Sequence, residues 1–328
     1  MRVSAVLLAL CLVGPALGQV VGLEWPDHPV QRALIAYEAS SLRAIQKTAA
    51  RPTLEERLAQ APFVTGESRV ALDLTAFDAE AAGAIRAAAV TAGGGSLLAF
   101  KTWTPVAEKL YAPRRAPGTL NELQQKHGIR QSPDWTHVDV MSLLTQGRRR
   151  IWFDTRRVLE AHVAALEKRK PFAYAPGTWF LAEQLKADGS LIETHVIGLR
   201  DDHEQDFLLY DKNGVQGLSS AEFRMRAPTT CFACHRNAGH LPPFADFPDV
   251  GSPVNGFQPK VEVDLSASDQ AAVRALLVPG ERPDDTHGSY GGLAALKVRK
   301  DIQAGTAQAW ETALWPRLVK LVPALATR

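Results

Sequence analysis

The residues with the clearest chemistry are two cysteines and a histidine in the run Cys231-Phe232-Ala233-Cys234-His235. The spacing Cys-x-x-Cys-His is that of the site at which a c-type haem is attached. Each thiol adds to one vinyl group on the porphyrin edge, and the adjacent imidazole supplies the proximal ligand of the iron. The motif therefore predicts one covalently bound haem c, held by Cys231 and Cys234 and ligated by His235.

Two other chemistries use closely spaced cysteines. A structural zinc site needs four ligands, but no second cysteine pair exists in the chain. A thioredoxin-like redox pair lies between a strand and a helix, whereas the residues before this motif, 226–230, have the composition of a loop. Covalent haem is the favoured prediction, and a redox disulfide is the alternative.

The first eighteen residues have the pattern of a secretory signal peptide. Arg2 precedes an apolar run over residues 3–13, and Ala16 and Gly18 are small residues at the positions that a signal peptidase reads. The apolar run is shorter than the about 20 residues that a membrane-spanning helix needs. We therefore predict cleavage before Gln19, a periplasmic or secreted location, and no membrane insertion of the mature chain.

The composition excludes several classes of protein. Of the 328 residues, 46% are hydrophobic and 22% are charged, which is ordinary for a globular protein. The formal net charge of +2 gives no electrostatic reason to expect nucleic-acid binding. Cys11 leaves with the predicted signal peptide, and two cysteines three positions apart cannot staple so long a chain. A disulfide scaffold is therefore excluded.

The second axial ligand of the iron distinguishes electron transfer from ligand chemistry. Electron-transfer cytochromes commonly use a Met, but no Met follows His235. Met141, His240 and His287 are the protein-derived candidates, and His287, in the glycine-rich loop 285–292, is preferred. The simplest interpretation is a five-coordinate iron with an open distal side. The histidines before the motif are interpreted as surface residues or as side chains with satisfied hydrogen bonds; they are His137, His162, His195 and His203.

An antiparallel meander is predicted to lead into the motif. Three runs have the pattern of strands: 177–183, 191–199 and 206–210. Asp188-Gly189 and Asn213-Gly214 lie after strand patterns and are hairpin signals. The setting of the motif therefore differs from the all-helical fold of most small c-type cytochromes.

Helical patterns lie on both sides of the meander, at 28–58, 78–91, 121–128, 155–168 and 306–315. We expect Pro316 and Pro323 to kink or interrupt the chain after the last of them. The predicted fold class is α+β, with an antiparallel β-sheet haem domain and helical additions before and after it. The expected organisation is a signal peptide (1–18), a mixed, mainly helical region (19–145), a β-rich haem domain (146–245), and a loop and helix extension packed on that domain (246–328).

Residues 148–240 resemble the cytochrome P-460 family and its relative cytochrome c′-beta. The resemblance is carried by Arg150-Ile151-Trp152-Phe153, by the run 171–178, by the hairpin and by the haem motif. It implies a mainly antiparallel β fold of the cytochrome P-460 type, with the haem motif towards its C-terminal end and an iron that is open on the distal side. It also implies binding of NO or CO, as in some members, or oxidation of hydroxylamine, as in others.

The sequence departs from the hydroxylamine-oxidising members at two places. Those members have a lysine cross-linked to the haem and a distal carboxylate just before the motif. Here no acid lies nearer to the motif than Glu222, and the strand segment 181–183 has no lysine. These departures disfavour hydroxylamine oxidation and leave the prediction of haem binding unchanged.

A basic stretch precedes the meander and consists of Arg148, Arg149, Arg150, Arg156, Arg157, Lys168, Arg169 and Lys170. Such residues could neutralise haem propionates or bind an acidic redox partner. A solvated helix face is the more common role of a charge run, and we adopt that interpretation.

Together these features predict an exported monohaem c-type cytochrome with redox or ligand-binding chemistry at an open iron. The expected ligand is a small nitrogen-containing molecule such as NO or hydroxylamine, and a haem oxidoreductase is one form that this chemistry takes. Two alternatives stay open. One is a six-coordinate electron-transfer cytochrome with a redox partner protein, and the other is a haem gas sensor without turnover.

Overall fold

The computed structural model of the chain divides into two compact units. The first unit spans residues 1–45 and 52–114, and the second spans 46–51 and 115–328. The structure describes residues 20–23, 35, 38–39, 42, 63–66, 69–92, 95–141, 148–168, 174–201, 205–217, 226–229, 231, 269 and 288–326.

The first unit contains a mixed five-stranded sheet. Its strands are β1 (Val20–Leu23), β2 (Phe63–Gly66), β3 (Arg69–Asp73), β4 (Val90–Ala92) and β5 (Gly95–Leu98). Their order in the sheet is β2-β3-β1-β5-β4. All neighbouring strands are antiparallel except β1 and β5, which are parallel.

Two helices of the first unit are α1 (Ala79–Ala88) and α2 (Phe100–Arg115). Asp78 caps α1, because its carboxylate accepts a hydrogen bond of 2.9 Å from the backbone of Ala81. The predicted helix over 78–91 is too long at its C-terminal end. Val90 and Thr91 lie in β4 and pair with β5, as the strand preference of β-branched residues explains.

The helix predicted over 28–58 is described at four residues. Ile35, Glu38, Ala39 and Leu42 are helical and at most 2% exposed. Their spacing of three or four positions puts them on one helical face, so this face is buried within the first unit. The other residues of the prediction lie outside the described residues.

The second unit contains a six-stranded antiparallel sheet. Its strands are β6 (Trp135–Met141), β7 (Arg148–Asp154), β8 (Trp179–Leu185), β9 (Leu191–Leu199), β10 (Gln205–Asp211) and β11 (Gln216–Gly217). The order is β11-β10-β9-β8-β7-β6, so strands that follow one another in the chain are neighbours in the sheet. The three predicted strands correspond to β8, β9 and β10, with boundaries that differ by two residues or fewer.

The helices of this unit are α3 (Leu120–His127), α4 (Thr155–Lys168), α5 (Gly288–Ala304) and α6 (Ala309–Leu321). The helix predicted over 155–168 agrees with α4 at both ends. Thr119 and Glu122 form a capping box at the start of α3, and Gly128, with φ of 64°, ends it. The last helix continues through Pro316 and ends before Pro323.

One side of the six-stranded sheet faces helices, and we call it the helix-facing side. Along β7, residues at odd positions are buried and those at even positions are more exposed. Phe153 of β7 and Phe180 of β8 contact Tyr290 of α5, with ring centroids 5.5 and 5.3 Å apart. The helices α4, α5 and α6 also contact one another. Odd positions of β7 and their register partners therefore lie on the helix-facing side.

The described residues establish an α+β protein with helices and antiparallel sheet, which confirms the predicted class at this coarse level. Among these residues, no helix combines the length and apolar character needed to cross a bilayer.

Candidate functional site

The structure describes one member of the predicted haem motif. Cys231 lies at a helical position and is partly exposed, and Ala227 and Pro228, shortly before it, are buried. Cys234, His235, His240 and His287 lie outside the described residues. Their predicted roles stay predictions.

Met141, the remaining candidate for the second axial ligand, is the last residue of β6. Its backbone lies opposite Arg148 in the antiparallel pair β6–β7. The strand β6 is at the edge of the sheet, five strands from β11. The fold thus places Met141 and β11, the last described strand before the motif, at opposite edges of one sheet.

The chain on each side of the motif is attached to the second unit. Before the motif, Asp211 accepts backbone hydrogen bonds from Asn213 and Val215, which fixes the turn between β10 and β11. After the motif, α5 begins at Gly288, the residue that follows His287 in the sequence. Tyr290, in the first turn of α5, is 4% exposed on the helix-facing side. The preferred distal candidate therefore directly precedes a helix that is anchored on the sheet.

The described residues of the basic stretch lie on the two sides of the sheet and on α4, whereas Arg169 and Lys170 lie outside the described residues. Arg148 and Arg150 both bind Asp139 of the neighbouring strand, with shortest distances of 2.7 and 2.9 Å. On α4, the exposed Arg156 pairs with Glu160. Arg148, Arg150 and Arg156 therefore agree with the interpretation of a solvated surface, on which neighbouring carboxylates neutralise the positive charges. Arg149, which lies between Arg148 and Arg150 in the sequence, differs because it is only 7% exposed.

Arg149 belongs to a row of polar side chains across three strands of the helix-facing side. The register pairs Arg149 of β7 with Gln184 of β8, and Gln184 with Glu193 of β9. Gln184 and Glu193 are 0% and 3% exposed. His195, the next residue of β9 on the same side, completes what we call the polar row: Arg149, Gln184, Glu193 and His195.

The histidine of the polar row is bound to its carboxylate. The Nε2 atom of His195 lies 2.5 Å from Oε1 of Glu193, and 20% of the His195 side chain is exposed. Burial is the main cause that lowers the pKa of His195, and the positive charge of Arg149 lowers it further. The hydrogen bond that His195 donates to the Glu193 carboxylate opposes both effects. His195 is thus a satisfied histidine, as expected, but it lies in a buried charged cluster.

Aromatic side chains adjoin the polar row. Tyr290 lies against Phe153 and Phe180, and Tyr174 contacts Phe180 at 5.1 Å. Burial raises the pKa of Tyr290, and the charge of Arg149 opposes this shift, so Tyr290 is a neutral phenol near the row. The polar row therefore lies beside an aromatic cluster on the helix-facing side.

Sequence reasoning missed the polar row. Glu193 and His195 are two positions apart in one strand, which the sequence shows. Arg149 and Gln184 lie beside them only because of the register between the strands. The usable signal was the period of two in β9, which predicts that Glu193 and His195 share a side.

The donor set of the motif fits a covalent haem. Two thiols and one imidazole within five residues are the groups that haem c requires, and Cys231 is accessible to a reaction partner because it is partly exposed. Within the described part of the chain, no group of three or more His, Cys, Asp or Glu side chains could hold a metal ion.

Comparison of the chain with protein-family models, with curated proteins and with solved structures gave no match. The class that the described residues define is an α+β protein with a six-stranded antiparallel meander.

Proposed function

We propose that this protein is an exported monohaem c-type cytochrome with an open iron site. The observation that carries the proposal is the Cys-x-x-Cys-His motif, whose cysteines are the only ones after the predicted signal peptide. In this proposal Cys231 and Cys234 form the thioether bonds and His235 is the proximal ligand. The haem supplies a redox-active iron that binds small ligands.

The second unit suits this role because it contains a continuous antiparallel sheet that precedes the motif in the chain. The strands β6 to β10 are each seven to nine residues long and pair in order in a meander. The motif follows this meander, as in the family that the sequence resembles. The fold is thus compatible with a β-rich haem domain of the cytochrome P-460 type, which stays part of the proposal.

The proposed ligand is a small nitrogen-containing molecule, with NO preferred. The absence of a Met after His235 supports an open distal side, and the missing carboxylate before the motif disfavours hydroxylamine. Ligand binding without turnover and haem redox catalysis would both use this site. Two assays separate these functions: binding of NO, and turnover of hydroxylamine in the presence of an electron acceptor.

The proposal is tested by optical spectra of the purified protein and two variants. The double variant Cys231→Ala, Cys234→Ala should lose covalently retained haem, whereas Cys11→Ala, a change within the predicted signal peptide, should keep it. Addition of CO to the reduced wild-type protein should change its spectrum, because an open iron position binds CO. Haem retention by the double variant would contradict the proposed attachment, and a low-spin reduced spectrum unaffected by CO would contradict the open site.

A further inference from the structure

The strand β6 is a long edge strand without the features that usually block pairing with another chain. It spans seven residues, and among the described residues it pairs only with β7. Edge strands are commonly protected by a very short length, a proline, a lysine or a bulge. The opposite edge of the sheet ends in β11, which has only two residues. In contrast, β6 contains no proline or lysine, and its register with β7 is unbroken.

The exposure of β6 differs from that of its neighbour. Ile151 and Phe153 of β7 are at most 2% exposed. Val138 and Thr136, which lie opposite them in β6, are both partly exposed, and His137 between them is exposed. The sheet is therefore buried at β7 and accessible at β6.

The register between β6 and β7 determines which backbone groups of β6 point outward. The N–H of Thr155 donates to the carbonyl of Asp134, one position beyond the pair of Trp135 and Asp154. Opposite residues in an antiparallel pair alternate between exchanging two hydrogen bonds and exchanging none. Every second residue of β6 therefore directs its N–H and C=O groups away from β7. These residues are Trp135, His137, Asp139 and Met141.

The outward groups are self-complementary when two copies of β6 pair antiparallel around Val138. In this register His137 lies opposite Asp139 of the partner subunit, and Trp135 lies opposite Met141 of the partner subunit. Every outward residue then has an outward residue as its partner. A shift by two positions leaves one outward residue unpaired and puts either His137 or Asp139 opposite its own copy. Opposite charges across a strand pair are favourable and like charges are unfavourable, so the register around Val138 is favoured.

We propose that two copies of this chain associate through β6, so that their six-stranded sheets form one continuous antiparallel sheet with Val138 on the two-fold axis. The interface is isologous, because both copies contribute the same residues. Within each copy, Asp139 already accepts a hydrogen bond of 2.9 Å from Arg150, and the rings of His137 and Trp152 lie 4.4 Å apart. These contacts orient Asp139 and His137 before the copies meet. The association is independent of haem attachment.

Sedimentation of the purified wild-type protein is the first test. The protein should sediment with twice the mass of one chain. The mass of a single chain overturns the proposal, and it is also the result expected if β6 instead binds an extended segment of a different protein.

Disulfide cross-linking tests the register. In Val138→Cys, the two Cα atoms at the axis should lie about 4.5 Å apart, as in a non-hydrogen-bonded pair, and this distance allows a disulfide. The matched control Thr136→Cys lies on the same side of β6 but opposite Val140 of the partner subunit, too far from its own copy for a disulfide. Wild-type protein, oxidised in the same way, controls for the native cysteines. Absence of a cross-linked dimer in Val138→Cys, or equal cross-linking in both variants, overturns the proposed interface.

A proline substitution tests the outward hydrogen bonds. His137→Pro removes an outward N–H, a change that edge strands tolerate, and it should sediment as a single chain. His137→Ala removes the same side chain but retains the N–H, so it should keep more of the dimer. Dimers of equal strength in His137→Pro and the wild-type protein would show that β6 does not form the interface.

Discussion

At the scale of residues, three adjacent arginines have different environments because a strand alternates its sides. Arg148 and Arg150 share the partly exposed carboxylate of Asp139, whereas Arg149 is buried in the polar row. The hydrogen bonds from Arg150 are the main cause that lowers the pKa of Asp139. Arginine thus forms an ion pair at the surface at two of these positions and is a buried charge at the third.

We expect Arg149→Gln to destabilise the protein by about 3 kcal/mol or more, because removal of one buried charge leaves its neighbours uncompensated. The matched control Arg148→Gln removes an exposed cation and should cost at most about 1 kcal/mol. Urea unfolding of both variants measures the difference in free energy. Equal costs would show that Arg149 is not part of a buried charge cluster.

The histidines predict how stability depends on pH. The pKa values of His127, His137 and His195 are all lowered in the folded protein, mainly by burial. The unfolded chain therefore binds protons more readily, so the free energy of unfolding is greatest above about pH 6.5 and falls as pH decreases below it. Urea unfolding at pH 7.5 and 5.5 should show the lower value at pH 5.5, and His195→Asn should reduce the difference. A higher value at pH 5.5 would contradict these shifts.

At the scale of elements, close packing between α4 and α5 depends on a glycine. A Cβ atom added to Gly291 would overlap the ring of His162. That ring is 1% exposed, and its Nδ1 atom lies 2.8 Å from the carbonyl of Val158, so it has little room to move. Gly291 therefore permits the approach of the two helices.

The variant Gly291→Ala should destabilise the protein by about 1–3 kcal/mol, because the added methyl group overpacks this contact. Gly83→Ala is the matched control, since Gly83 is also helical but has no atom within 4 Å of the added Cβ position. This control should stabilise by about 0.5–1 kcal/mol, as alanine favours helix over glycine. Thermal unfolding compares the two, and destabilisation of equal size in both would contradict the packing explanation.

Elements with local signals could be predicted from the sequence. The helix α4 buries Thr155, Val158, Leu159, His162 and Val163, a spacing that indicates a helix without knowledge of the fold. Turn signals in the sequence separate β8 from β9 and follow β10. The strand β1 of the first unit has no such signal, because it is short and pairs with β3 and β5 from distant parts of the sequence. The polar row likewise depends on the register of three strands.

At the scale of the whole molecule, the two units have different sheets. The first has a mixed sheet and the second an antiparallel meander with the motif after it. The part of the meander from β8 to β10 could be predicted, because these strands pair with their neighbours in the sequence, whereas β6, β7 and β11 are not among the predicted strands. The division into units could not, because it depends on contacts between residues far apart in the chain.

The central claim is that the exported chain carries one haem on Cys231 and Cys234, and the intact mass of the denatured, purified protein tests it most directly. Denaturation removes a non-covalent cofactor but leaves thioether bonds in place. We predict the mass of residues 19–328 plus one haem, with the added mass on the peptide that contains both cysteines. A protein with the mass of the polypeptide alone would contradict the account.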